Sequence, residues 1–88
     1  MDEKKPLKAK SLKIIDQKGT LFATFDGSKF WRIEKHIYKL LMECDGKKTF
    51  DEIAHKIASI SGFKVEDIKV GLKPMFDEFE RNGFITYV

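Results

Sequence analysis

Cys44-Asp45-Gly46-Lys47-Lys48-Thr49-Phe50-Asp51-Glu52-Ile53 is the stretch on which the fold turns, because one helix ends in it and another begins. Gly46 can take a left-handed backbone without a Cβ penalty, so Asp45-Gly46 is read as the stop of the preceding helix. Thr49 and Glu52 have the spacing of a capping box, in which the Thr49 hydroxyl accepts from the Glu52 amide and the Glu52 carboxylate reaches back to the Thr49 amide. A loop of a few residues thus joins two helices and turns the chain sharply.

Upstream of it, Ile33, Ile37, Leu40, Leu41 and Cys44 fall on one helical face, which predicts a helix near 35–44. Downstream, Ile53, Ile57 and Ile60 predict a second helix near 50–61, closed by Gly62. A third is expected over about 65–81 from Ile68, Leu72, Met75, Phe76 and Phe79, with Pro74 introducing a kink or bulge near Gly71. Asn82-Gly83 ends that helix, and Phe84-Ile-Thr-Tyr-Val88 reads as a short strand or extended tail.

Ahead of the helices the period shortens to that of strands. The stretch led by Leu12, Ile14 and Ile15, then Thr20-Leu-Phe-Ala-Thr-Phe25 and Phe30-Trp-Arg-Ile33, are separated by the turn signals Asp16-Gln-Lys-Gly19 and Asp26-Gly27. They predict a three-stranded antiparallel meander at 12–16, 20–25 and 30–33. The expected architecture is therefore α+β and winged-helix-like, an N-terminal three-stranded antiparallel sheet followed by three helices. Residues 1–10, rich in lysine, read as a flexible basic arm, and 11–88 as the folded domain.

A chain of 88 residues holds one such domain, and 42% hydrophobic residues with eight Phe suffice for a core. The net charge of +3 is local: five lysines against Asp2 and Glu3 in residues 1–13 account for all of it, leaving twelve basic and twelve acidic side chains in 14–88. No apolar run exceeds three residues, so neither a membrane span nor a secretory signal is expected, and the single Cys44 fits a reducing compartment. A cytoplasmic protein without membrane association is the expectation.

Convergent polar chemistry is sparse. Cys44 lies on an apolar stripe and reads as a packing residue rather than a nucleophile served by His55; His36 reads as solvated. No Cys-x-x-Cys or His-Glu-x-x-His spacing occurs, and the carboxylate pairs Asp51/Glu52, Glu66/Asp67 and Asp77/Glu78 suit helix first turns or exposed faces. We expect no catalytic residues, no metal and no cofactor, and so no enzyme. The alternative function is a winged-helix DNA-binding transcriptional regulator. Its recognition helix would be the third, where Lys64, Lys69, Lys73 and Arg81 face Glu66, Asp67, Asp77, Glu78 and Glu80, an acidic balance that repels phosphates. Nucleic acid is not the expected partner.

A peptide is. A short exposed strand is a template for backbone pairing, and Phe30-Trp31-Arg32 offers large side chains on both faces. The expected groove lies between this strand and the third helix, lined by Ile68, Lys69, Leu72 and Lys73. Lys69 and Lys73, four apart on one helix face, would meet peptide carboxylates.

Phe30-Trp-Arg-Ile-Glu34, then Ile37, Leu40, Leu41 and the Asp45-Gly-x-x-Thr-x-x-Glu-Ile53 run, then Ile68, Leu72, Phe79 and Gly83-Phe-Ile85, resemble the PqqD family of peptide-recognition domains over about three quarters of the chain. The family has Asn after the third strand where this chain has Glu34. A monomer or weak dimer is expected, since small domains with exposed strands exchange them readily. The resemblance implies a noncatalytic chaperone. It would hold the leader of a precursor peptide as an added strand beside the third strand and present it to a modifying enzyme, a radical S-adenosylmethionine enzyme in particular.

Overall fold

A computed structural model describes residues 4–88. Its elements are β1 (Pro6–Lys8), β2 (Lys13–Gln17), β3 (Thr20–Thr24), β4 (Phe30–Ile33), α1 (Lys35–Met42), α2 (Phe50–Ser61), α3 (Val65–Arg81) and β5 (Ile85–Tyr87). The α+β class is as the sequence predicts, with the antiparallel sheet β2-β3-β4 preceding the three helices. The capping box is present in both directions, Glu52 N donating to Thr49 Oγ1 at 3.1 Å and Thr49 N to Glu52 Oε1 at 2.8 Å.

The basic arm needs correction. Residues 1–3 lie outside the described residues, but Pro6–Lys8 form a strand paired antiparallel with β5. On its other side Leu7 bridges Asp45, with Lys8 N donating to the Cys44 carbonyl at 2.8 Å and Gly46 N to the Pro6 carbonyl at 2.9 Å. β1 is thus clasped between the C-terminus and the α1–α2 loop. A proline fits there because Lys5 and Val88 exchange both backbone hydrogen bonds, at 2.9 Å each, which leaves Pro6 at a position owing no donor to β5. The folded domain therefore starts ahead of residue 11.

Two helix details also differ from expectation. α1 ends at Met42 with Glu43 as its cap, so Gly46 does not close it. Gly46 does have a left-handed backbone, φ +75°, but what uses it is close approach: a Cβ there would lie 3.3 Å from Leu7 Cδ1. α3 runs as unbroken α-helix through Pro74. The expected bulge is therefore absent; Pro74 offers no donor to the Val70 carbonyl, and Val70 is an exposed residue.

The strands alternate as a half-buried sheet must. Ile14, Leu21, Ala23, Trp31 and Ile33 face the helices, whereas Ile15, Phe22, Phe30 and Arg32 face away. In the core an unbroken series of ring contacts joins α2 to the sheet. Phe50 meets Phe76 at 5.1 Å between centroids, Phe76 meets Phe79 at 5.7 Å, Phe79 meets Phe84 at 6.2 Å, and Phe84 meets Trp31 at 5.0 Å. Such contacts contribute about 0.5–1.5 kcal/mol each beyond area burial.

Candidate functional site

β4 is an outer strand of its sheet. Which of its backbone groups face outward follows from the β2-β3 turn. Lys18 and Gly19 have φ of +53° and +88°, the two left-handed residues of a two-residue hairpin loop, whose closing pair Gln17↔Thr20 is hydrogen-bonded. Alternation from that pair turns the amides and carbonyls of Thr20, Phe22 and Thr24 toward β2, and those of Leu21 and Ala23 toward β4. Their partners Ile33 and Trp31 therefore spend their backbone groups on β3. Phe30 and Arg32 direct theirs outward, and among the described residues no backbone hydrogen bond reaches them. The free edge thus presents two donors and two acceptors.

Beside this edge lies a groove of about 410 Å³. Its floor is Trp31, Ile33, Ile37, Phe79 and Phe84, and its rim carries Arg32, Glu34, His36, Glu78 and Asn82. α1 contributes through its first turn, where His36 Nδ1 lies 3.4 Å from Glu34 Oε1. Lys29 Nζ sits 4.8 Å from the Trp31 ring centroid, a cation over the indole at the end of the strand. The α3 wall is fixed by its C-terminus. Gly83 N donates to the Glu80 carbonyl at 3.0 Å and Phe84 N to the Phe79 carbonyl at 2.8 Å, with Gly83 at φ +77°. This paired closure reverses the chain and sets Phe84 against both Phe79 and Trp31.

The expected site residues are divided among several places. Trp31 and Arg32 line the groove. Phe30 is on the opposite face of the sheet, in a depression with Ile15, Gln17 and Phe22. None of the four expected α3 residues lines the groove: the wall is the C-terminal half, Glu78, Phe79 and Asn82, which the sequence reading missed. Ile68 is half-buried against the core, and Leu72, 8% exposed, lies between the helices with Leu40, Ile57 and Met75. Lys69 pairs with Asp51 of α2 at 3.0 Å, and Lys73 with Asp77 at 2.8 Å beside Phe50 and Tyr87. Both cations thus meet carboxylates of this chain. A local signal for the true wall existed in Phe79 and Phe84 flanking Asn82-Gly83, the spacing at which a helix end reversed by glycine brings two apolar residues together.

Cys44 is 2% exposed, its thiol donating to the Leu40 carbonyl at 3.5 Å, and burial pushes its pKa up to about 12. It is a packing residue; His55, on the exposed face of α2, places Nδ1 2.8 Å from the Asp51 carbonyl instead. Among the described residues no three His, Cys, Asp or Glu side chains converge as metal ligands would, and no helix is long and apolar enough to cross a membrane. Family models, curated proteins and solved structures yield no match to this chain.

Proposed function

We propose that the protein binds a peptide as an added strand at the β4 edge, and that the peptide is the leader of a precursor presented to a modifying enzyme of the radical S-adenosylmethionine kind. One observation carries the peptide part: the unpaired backbone groups of Phe30 and Arg32 open beside a groove with an aromatic floor and a polar rim. Main-chain pairing supplies affinity in this mode, and an apolar floor selects alternate side chains of the incoming strand. The precursor and the enzyme come from the family resemblance alone.

The DNA-binding reading gains nothing from this geometry, because the acidic side chains of α3 remain on its exposed surface, with Glu66, Asp67, Glu78 and Glu80 all open to solvent.

The test is an amide chemical-shift titration with a candidate leader peptide. Shifts along β4 and residues 78–82, lost in a folded Arg32→Pro variant, are expected. Shifts confined to α2 and the Lys47-Lys48 loop, or binding undiminished by Arg32→Pro, would overturn strand addition. Sequence-dependent binding of a DNA duplex tighter than roughly 0.1 μM at about 150 mM salt would favour the regulator instead.

A further inference from the structure

The face of the β2-β3-β4 sheet turned away from the helices is not the polar surface that a half-solvated sheet ordinarily shows. Ile15 on β2, Phe22 on β3 and Phe30 on β4 lie side by side across it and border a depression of about 340 Å³. Ile15 and Phe30 are 38% and 49% exposed, and the Phe22 and Phe30 rings meet edge to face at 6.3 Å. The core does not use this cluster. Trp31 and Ile33 supply the β4 contribution to the interior, and no ring contact joins Phe22 or Phe30 to the core aromatics.

The charged strand residues of this face all have one sign. By strand alternation the strand residues here are Lys13, Ile15 and Gln17 of β2, Thr20, Phe22 and Thr24 of β3, and Phe30 and Arg32 of β4. Lys13 and Arg32 are cations, and among these described strand residues no carboxylate is present. Thr24 offers nothing outward, since its hydroxyl donates to the Lys29 carbonyl at 2.7 Å and accepts from Gly27 N at 2.9 Å. A second copy stacked on the same face would bring cations to cations with no anion to meet them. A nucleic acid would find rings but only two positive charges, too few for phosphate-driven affinity.

We propose that this face docks a partner protein through an apolar helix bordered by carboxylates, with Ile15, Phe22 and Phe30 receiving the apolar side chains and Lys13 and Arg32 the acidic ones. The site shares Arg32 with the rim of the peptide groove but otherwise lies on the opposite face of the sheet, the groove opening on the helix side of β4. A helical ligand has its own backbone bonds satisfied and does not pair with the β4 edge, so failure here leaves strand addition standing.

The probes are a stapled amphipathic helix with Leu and Phe on one face flanked by Glu, its twin with Lys in place of Glu, and oligothymidylate. Each is added to the full chain while the Ile15 methyl and the Phe22 and Phe30 ring resonances are followed. Ile15 is the discriminating reporter, because it lies two strands from the β4 edge. The Glu helix is expected to shift all three residues saturably. Arg32→Glu and Phe30→Ser should each weaken it by at least about fivefold in chains that remain folded at the temperature of the titration. An equal response to the Lys twin, no response to either helix, or shifts confined to the Trp31 groove would overturn the proposal. So would oligothymidylate binding at the same reporters, or a concentration-dependent dimer abolished by Ile15→Ser.

Discussion

Trp31 and Phe84 meet edge to face with 5.0 Å between ring centroids, joining the outer strand of the sheet to the residue that follows the α3 closure. This contact holds the groove floor together, so it is structural before it is functional. Trp31→Ala and Phe84→Ala are each expected to cost about 3–5 kcal/mol in urea unfolding. The double variant should fall short of the sum by about 0.5–1.5 kcal/mol, the coupling of an aromatic pair. Strict additivity would show that the two rings do not depend on one another.

Proline scanning of β4 reads its backbone directions directly. Trp31→Pro removes a donor that β3 uses and is expected to cost about 3 kcal/mol or more, whereas Arg32→Pro removes one that nothing in the fold uses and should cost about 1 kcal/mol or less. The reverse order in chemical denaturation would mean that the strand's alternation is shifted by one residue.

Gly46 and Gly27 share a left-handed backbone, at φ +75° and +81°, but only Gly46 has neighbours within reach of an added Cβ. Both alanine variants should lose about 1 kcal/mol from backbone strain. Gly46→Ala should lose more, because Leu7 must give way, and thermal melts of the pair separate crowding from strain. Removing residues through Lys8 takes Leu7 away. In that truncated chain the two alanine variants should cost the same.

Cys44 sets a limit on alkaline stability. Its folded pKa of about 12 lies above the ordinary value of 9.0, because burial disfavours the thiolate. A raised pKa of this kind contributes stability that is fully present below pH 9.0 and is lost progressively as pH climbs toward about 12. Cys44→Ala should therefore show a shallower decline than the parent between those limits. At pH 8 native Cys44 should react with iodoacetamide only at the rate of opening, so added urea accelerates the reaction.

The helices and the three-stranded sheet were legible because their signals are local. Thr49 and Glu52 mark the start of α2 within four residues, and Lys18-Gly19 and Asp26-Gly27 mark the turns of the meander. β1 was not legible, since nothing in Pro6-Leu7-Lys8 announces a strand; its partners are Ile85 to Tyr87 and the loop at Asp45, far along the chain. The site was half legible. A helical period tells which residues share a face of α3, but not which stretch of its length comes alongside β4. That is settled by the reversal at Gly83, which brings Phe79 rather than Leu72 to Trp31's neighbour Phe84. Lys69 and Lys73 lie away from this groove: Asp77 was legible as the partner of Lys73 from the four-residue spacing, whereas Asp51 comes to Lys69 from α2 and was not.

Lys5 and Val88 exchange two backbone hydrogen bonds, so the two ends of the described chain lie side by side. A few glycines suffice to join them, and the chain can then be reopened at an exposed turn such as Lys18-Gly19, giving a circular permutant with the same sheets and helices in a new order. In that rearranged molecule β1 becomes covalently continuous with β5, so the clasp is closed by the chain itself. In the original order, by contrast, the chain at Lys5 and at Val88 meets at one corner, beside Asp45 and Gly46.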